Sequence, residues 1–168
     1  METRNHHFPE KLGRSIEERS PEIESREEFG HWKADLVIGK KSGKDQVLLT
    51  LAERKSRQYW MLPIKDREAD SVMNAFKKLQ ETYSEHFSEV FKTITTDNGS
   101  KFSKLAELEK LAGTLVYFTH PYTSCEKGTN EHHNGIIRRF IPKGKRISDF
   151  DMDEISNVEA WCNSLPRK

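Results

Sequence analysis

Three acidic residues stand where a carboxylate is costly or conspicuous, and together they have the chemistry to hold a divalent cation. Asp35 lies inside His31-Trp32-Lys33-Ala34-Asp35-Leu36-Val37-Ile38, an otherwise apolar stretch that reads as a strand ending at Gly39. Burying an unpaired carboxylate there costs several kcal/mol, so either the pleat turns Asp35 toward solvent or an arginine, or a partner meets it. Asp97 closes a second apolar stretch, in Thr95-Thr96-Asp97-Asn98-Gly99-Ser100. Asp-Asn-Gly is also an ordinary turn, but a strand ending there leaves the side chain at the sheet's carboxyl edge. Glu131 lies in Gly128-Thr129-Asn130-Glu131-His132-His133-Asn134-Gly135, entering a helix that continues through Ile136, Ile137 and Phe140. On that helix Glu131, Asn134, Gly135 and Arg138 share one face.

The elements around these acids must bring them together. Residues 31–38, 46–52 and 58–64 read as a three-stranded meander, and the second strand is so continuously apolar that both its faces should be buried. Asp70 or Ser71 can cap a helix in which Val72, Met73, Phe76, Leu79 and Tyr83 recur on one face. A strand at 92–96, a helix at 104–112 stopped by Gly113, and a strand at 115–119 follow. Met152, Ile155, Val158, Trp161 or Cys162, and Leu165 mark a last amphipathic helix. The order βββαβαβα predicts an α/β, ribonuclease-H-like fold, a five-stranded mixed sheet flanked by helices. An inserted helix after the meander sets the fourth strand beside the first, so Asp35 and Asp97 face each other. Such carboxylates repel unless a cation sits between them. Residues 1–28 are charged, without a sustained apolar period, and read as a linker or arm before an ordered domain at 29–168. The stop after Pro166-Arg167-Lys168 suggests a piece of a longer protein.

Composition constrains the rest. The formal net charge is +1 with 33% charged residues, so only local clustering can speak for a polyanionic partner. Arg138, Arg139, Lys143, Lys145 and Arg146 cluster just after the Glu131 helix and, with Asn134, are candidate phosphate contacts; a solvated basic face is the plainer reading of such a run. Arg54-Lys55-Ser56-Arg57 is a weaker cluster that a polar hairpin would also produce. Gly135 costs about 1 kcal/mol relative to alanine inside a helix, which a close approach by DNA or a metal-bound phosphate would explain. Cys125 and Cys162 have no zinc-ligand spacing, and Cys125 reads as a spectator. No long apolar run spans a membrane and no secretory leader is visible, which predicts an intracellular, cytoplasmic protein. Gly39 to Lys44 falls short of a P-loop, and neither GxSxG nor HExxH occurs. His120 is expected to shape its loop, His133 to lie at the surface, and Trp32, Trp60 and Trp161 to be core.

The segments His31 to Gly39, Thr95 to Phe102 and His120 to Gly135 resemble the retroviral-integrase-like core of bacterial insertion-sequence transposases, the group named after insertion sequence thirty. The resemblance runs from about Phe29 to Lys168, and its three motifs stand in the family's order, with the acids 62 and 34 residues apart and Arg138 seven past Glu131. It implies a DDE catalytic domain in which Asp35, Asp97 and Glu131 bind two Mg2+ ions, with Mn2+ able to substitute. It also implies strand cleavage followed by strand transfer, DNA as partner at element ends and target, and a homodimer or higher multimer. The chain departs from the family pattern at Lys33, where an acidic residue is expected, at Lys101 in place of Glu, and at His132 in place of Arg. Two other readings stay open: a ribonuclease-H-like nuclease that cuts without joining, and an inactive DNA-binding or multimerisation module of a decayed element.

Overall fold

The computed structural model describes residues 12–40, 44–120 and 135–165. In chain order its main elements are β1 (Arg14–Ser15), β2 (His31–Val37), β3 (Val47–Glu53), β4 (Tyr59–Ile64), α1 (Ala69–Tyr83), α2 (Phe87–Val90), β5 (Thr93–Thr96), α3 (Leu108–Ala112), β6 (Leu115–Phe118), α4 (helical at 135–140) and α5 (Met152–Ser164). The strands form one mixed sheet in the order β1-β6-β5-β2-β3-β4. The meander β2-β3-β4 is antiparallel, and β5 joins β2 in parallel, as the α1 crossover requires. No helix among the described residues is long and apolar enough to cross a membrane.

Alternation along the strands sorts side chains into two layers. Trp32, Ala34, Leu36, Leu49, Leu51, Ile94, Val116 and Phe118 pack with Val72, Met73 and Phe76 of α1 in the larger core. Trp32 stacks within 4.6 Å of Trp60 and 4.9 Å of Phe91, ring centre to ring centre, and its indole N–H donates to the Val90 carbonyl at 2.7 Å. On the opposite face Val37, Leu48, Ala52, Tyr59 and Met61 pack with Ile136, Ile137 and Ile141 and with Ile155, Val158 and Cys162 of α5. β3 lies between these layers and is buried at every position, as its unbroken apolar sequence requires. Trp60 and Trp161 are half-buried against the two cores rather than within them.

Three details depart from the sequence expectations. The sheet has six strands rather than five, because Arg14 and Ser15, within the segment expected to be an arm, pair in parallel with Tyr117 and Phe118. A two-residue strand carries no hydrophobic period to detect, although Ser15-Ile16-Glu17-Glu18 is a capping box, and it is formed here. Ile23 anchors the following turn by burial. At the start of α1 neither Asp70 nor Ser71 caps; Asp66 accepts the Glu68 N–H at 3.0 Å and the Ser71 hydroxyl at 2.5 Å. The helix expected at 104–112 is split, with a 3-10 turn at Leu105–Glu107 ahead of α3.

Candidate active site

Strand register does the first work of assembly. β2 and β5 pair through His31 with Thr93, Trp32 with Ile94 and Lys33 with Thr95. Asp35 lies two residues beyond Lys33 and Asp97 two beyond Thr95, so this register, if extended, would set the two acids across from each other at the spacing of neighbouring strands. Continuing the β5–β6 register past Thr96 and Phe118 brings Thr119 into the same row. Because Ala34, Leu36 and Ile94 point into the α1 core, alternation turns Asp35 and Asp97 to the opposite face, the one α4 and α5 cover. Thr119 is buried, and among the described residues its hydroxyl has no hydrogen-bond partner.

Each acid is oriented by the backbone just after it. Asp35 Oδ1 accepts the Leu36 N–H at 2.9 Å, and Asp97 Oδ1 accepts the Gly99 N–H at 3.0 Å. Gly99 is needed for this, since a Cβ there would lie 2.7 Å from that same oxygen. The other oxygen of Asp97 is 3.4 Å from Lys101 Nζ, and the Asp97 side chain is 17% exposed. The Asp97 carboxylate thus already has one cation, Lys101, beside it. Oxygen-only donors that also need water or substrate to complete their coordination suit a hard divalent ion such as Mg2+. Cores of this type generally work with divalent metals.

Glu131 and Asn134 lie outside the described residues, as do Cys125, His132 and His133. Among the described residues no group of three metal-ligating side chains occurs; Asp35 and Asp97 are two. Arg138 in α4 donates from Nη2 to the Ile38 carbonyl at 2.7 Å, fastening the helix to the end of β2. Burial lowers its pKa, and among the described residues its buried Nη1 has no acceptor. Arg146 likewise tethers a loop, donating to the Lys44 carbonyl at 3.4 Å with Asp45 4.0 Å away. Arg139, Lys143 and Lys145 are exposed. The basic run therefore divides into two tethers and three solvent-facing cations. Gly39 belongs to this packing, since a Cβ would meet the Lys145 carbonyl oxygen at 2.2 Å. Gly135 is exposed, and a Cβ there would meet no described atom within 4 Å, so packing among the described residues does not explain it.

A cation that the sequence marked only as a departure from the family pattern lies two residues before Asp35. Lys33 is 9% exposed on the same face. Burial, with Arg54, Arg19 and Arg26 nearby, pushes its pKa down to about 8 against the opposing pull of Asp35. Arg19 Nη1 donates to Thr95 Oγ1, on the strand paired with Lys33, at 3.1 Å. The capping box just before Arg19 was the available signal that this stretch is ordered. His120, at the far end of the row, touches Ser15 Oγ at 3.5 Å and Glu17 at 3.3 Å, consistent with a role in shaping its loop.

Fold and paired acids together define an α/β core of the ribonuclease-H-like, integrase type. The family described as Integrase core domain matches residues 25–124, and the chain belongs to that family. Its relatives include the probable transposase for insertion-like sequence element IS1161 of Streptococcus salivarius, 38% identical over 157 residues, 94% of this chain and 43% of that protein. The transposase InsI for insertion sequence element IS30C of Escherichia coli is 35% identical over 156 residues, covering 93% and 39%. The chain thus spans less than half the length of these curated relatives. The crystal structure of the catalytic core domain of BIV integrase shares the fold, with a TM-score of 0.52, 16% identity and 80% of each chain covered.

Proposed function

We propose that the chain is the catalytic core of a DDE transposase, with Asp35, Asp97 and Glu131 as its catalytic acids and with an integrase-like unit that takes in the β1 segment as well as residues 29–168. The observation that supports this reading is the parallel β2–β5 register, which leads toward Asp35 and Asp97 at the same end of the two strands, each carboxylate accepting a downstream N–H. The relatives named as transposases support it.

Asp35, Asp97 and Glu131 would hold two Mg2+ ions, or Mn2+ in their place. Bound there, such ions supply Lewis-acid activation of the attacking oxygen and neutralise charge on the leaving oxygen. The chain's own residues keep the ligands in place: Leu36 and Gly99 orient the two strand acids, and the tether from Arg138 to Ile38 sets α4 against the end of β2. Water attacks a phosphodiester at an element end, forming a P–O bond and releasing a protonated 3′-oxygen. That hydroxyl then attacks a target phosphodiester, giving its proton to solvent and displacing the target's own 3′-oxygen. No covalent protein intermediate is required. DNA is the partner, contacted through Asn134, Arg138, Arg139, Lys143, Lys145 and Arg146. The working form is a homodimer or higher multimer acting on the nucleoid in the cytoplasm.

The deciding experiment incubates the chain and its Asp97→Asn variant with a branched oligonucleotide and Mg2+ or Mn2+, and resolves cut and joined strands on a denaturing gel. Joining that requires metal and disappears in Asp97→Asn is the expected result. Even outer ligands of metal sites are worth roughly 10–100-fold, so loss of a direct one should exceed that. Cutting without joining would make the protein a nuclease, and joining that survives in Asp97→Asn would remove Asp97 from the site.

A further inference from the structure

We propose that Arg19, Lys33 and Arg54 form a binding subsite for a DNA backbone phosphate, next to Asp35 on the reactive face, and that Glu24 of the same chain fills it when DNA is absent. The inference rests on the DNA-directed reading above but concerns residues which that reading leaves unused.

Three cations converge there with their side chains almost wholly withdrawn from water. Arg19 is 6% exposed, Arg54 8% and Lys33 9%. β2 carries Lys33 two residues before Asp35, so alternation puts the two on one face. Arg19 lies over Thr95, the cross-strand neighbour of Lys33. Arg54 follows β3 and donates its backbone N–H to His31 at 2.9 Å, which places it at the same end of β2. Arg26 adds to the positive field felt by Lys33. Burying like charges together is expensive unless anions answer them. The described carboxylate that answers the arginines is Glu24, which pairs with Arg19 and, at 3.2 Å, with Arg54. Among the described residues Arg54 Nε is buried without an acceptor.

A phosphodiester fits better than the carboxylate it would replace. It presents two non-bridging oxygens to the forked donors of two guanidiniums and accepts an ammonium as well. Glu24 is 59% exposed, so it can swing into solvent without disturbing Ile23, the buried anchor beside it. Lys33 adds a third cation beside the two arginines, with Asp35 pulling on it from the same face.

The test is binding, not turnover. Affinity of the intact chain for a fluorescent DNA duplex is measured by anisotropy in EDTA across 50–200 mM salt. The parent is compared with Glu24→Gln, Lys33→Gln, the double variant, and Glu27→Gln, an exposed acid of the same segment that controls for net charge. One phosphate contact contributes about 0.9 to the slope of log affinity on log salt, close to a 3.5-fold change over that range. Glu24→Gln is expected to bind more tightly with a slope steeper by about that amount. Adding Lys33→Gln should return affinity and slope to the parent's or below, and Glu27→Gln should change neither. A gain cannot arise from misfolding, which keeps the outcome interpretable if Lys33→Gln proves unstable. The subsite is overturned if Glu24→Gln binds no better, if Glu27→Gln gains equally, or if the gain survives loss of Lys33. If inorganic phosphate raises the melting temperature of Glu24→Gln while its DNA affinity stays at the parent's, the site takes a free phosphate and the strand assignment is wrong. Any of these results leaves the metal-dependent joining assay untouched, so the two readings fail separately.

Discussion

The two faces of the sheet are built to opposite rules. Under α1 the inward positions of β2 and β6 are apolar, as is Ile94 of β5, with Thr96 the polar exception, and aromatic rings fill the layer from Trp32 to Phe91. Under α4 and α5 the apolar packing covers β3, β4 and the end of β2. Across the middle of β2, β5 and β6 the same face carries Lys33, Asp35, Thr95, Asp97 and Thr119 instead. One face supplies the stability that lets the other keep polar and like-charged groups side by side. Substitutions should therefore be costly on the first face and nearly free, thermodynamically, at the acids.

The largest effect is expected at Phe76, fully buried in the α1 layer. Phe76→Ala should cost about 3–5 kcal/mol, read from the shift of the urea unfolding midpoint at constant m-value. A loss under 1 kcal/mol would mean that this face is not where stability resides. Next comes the sheet edge. β4 is an outer strand, and Asn163 of α5 closes on it twice, accepting the Tyr59 N–H and donating to the Tyr59 carbonyl, each at 2.8 Å. Glu159 accepts the Met61 N–H at 2.7 Å. Exposed strand edges invite pairing with other chains, so α5 blocks the edge as well as covering the face. Asn163→Ala should cost about 1–3 kcal/mol by leaving the Tyr59 groups unpaired, with light scattering on heating beginning at a lower temperature. Unchanged unfolding would confine α5 to hydrophobic packing.

A smaller effect is expected at Glu53, the buried carboxylate ending β3. Burial alone would raise its pKa, but hydrogen bonds from Ser56 and the Gly30 N–H bring it below the ordinary 4.5. A depressed folded pKa contributes stability that is complete above the unfolded value and disappears as pH falls through the folded one. Glu53→Gln keeps an acceptor but loses the charge, so it should cost about 1 kcal/mol at neutral pH. Below pH 4.5 that difference should shrink. A gap between parent and variant that stays constant from pH 7 to pH 3 would mean that Glu53 acts by shape alone.

How much of this was legible in sequence follows from what kind of force sets each feature. The meander, the crossover helix and the later strands announce themselves through apolar period, and their observed limits lie within one or two residues of the expected ones. That β5 lies parallel to β2, the arrangement expected to bring Asp35 and Asp97 near each other, followed from strand order, because a helical crossover after the meander sets the strand direction. The role of Gly99 was hidden in an ordinary turn sequence: only geometry reveals that its missing Cβ makes room for the Asp97 carboxylate. Strand β1 is too short to carry a period. The clustering of Arg19, Lys33 and Arg54 depends on three segments meeting, which no local pattern encodes. Arg138 and Arg146 looked like two members of one basic run, yet each is tied to a carbonyl on a different stretch of chain.

The smallest thermodynamic effect should fall at the residue with the largest chemical one. Asp35 receives a hydrogen bond from Leu36 that an asparagine carbonyl can also accept, and the same substitution removes a negative charge standing across from Asp97. The lost attraction to Lys33 and the relieved repulsion oppose each other, so in EDTA the stability of Asp35→Asn should lie within about 0.5 kcal/mol of the parent, like a neutral surface change. With Mg2+ or Mn2+ present the curves should separate, because an ion that binds only the folded chain raises its stability with concentration, and the variant has lost a ligand. If Asp35→Asn were destabilised by more than 1 kcal/mol in EDTA, the carboxylate would be a structural partner of Lys33. The polar row would then be held together by its own ion pairs rather than held open for a metal by the opposite face.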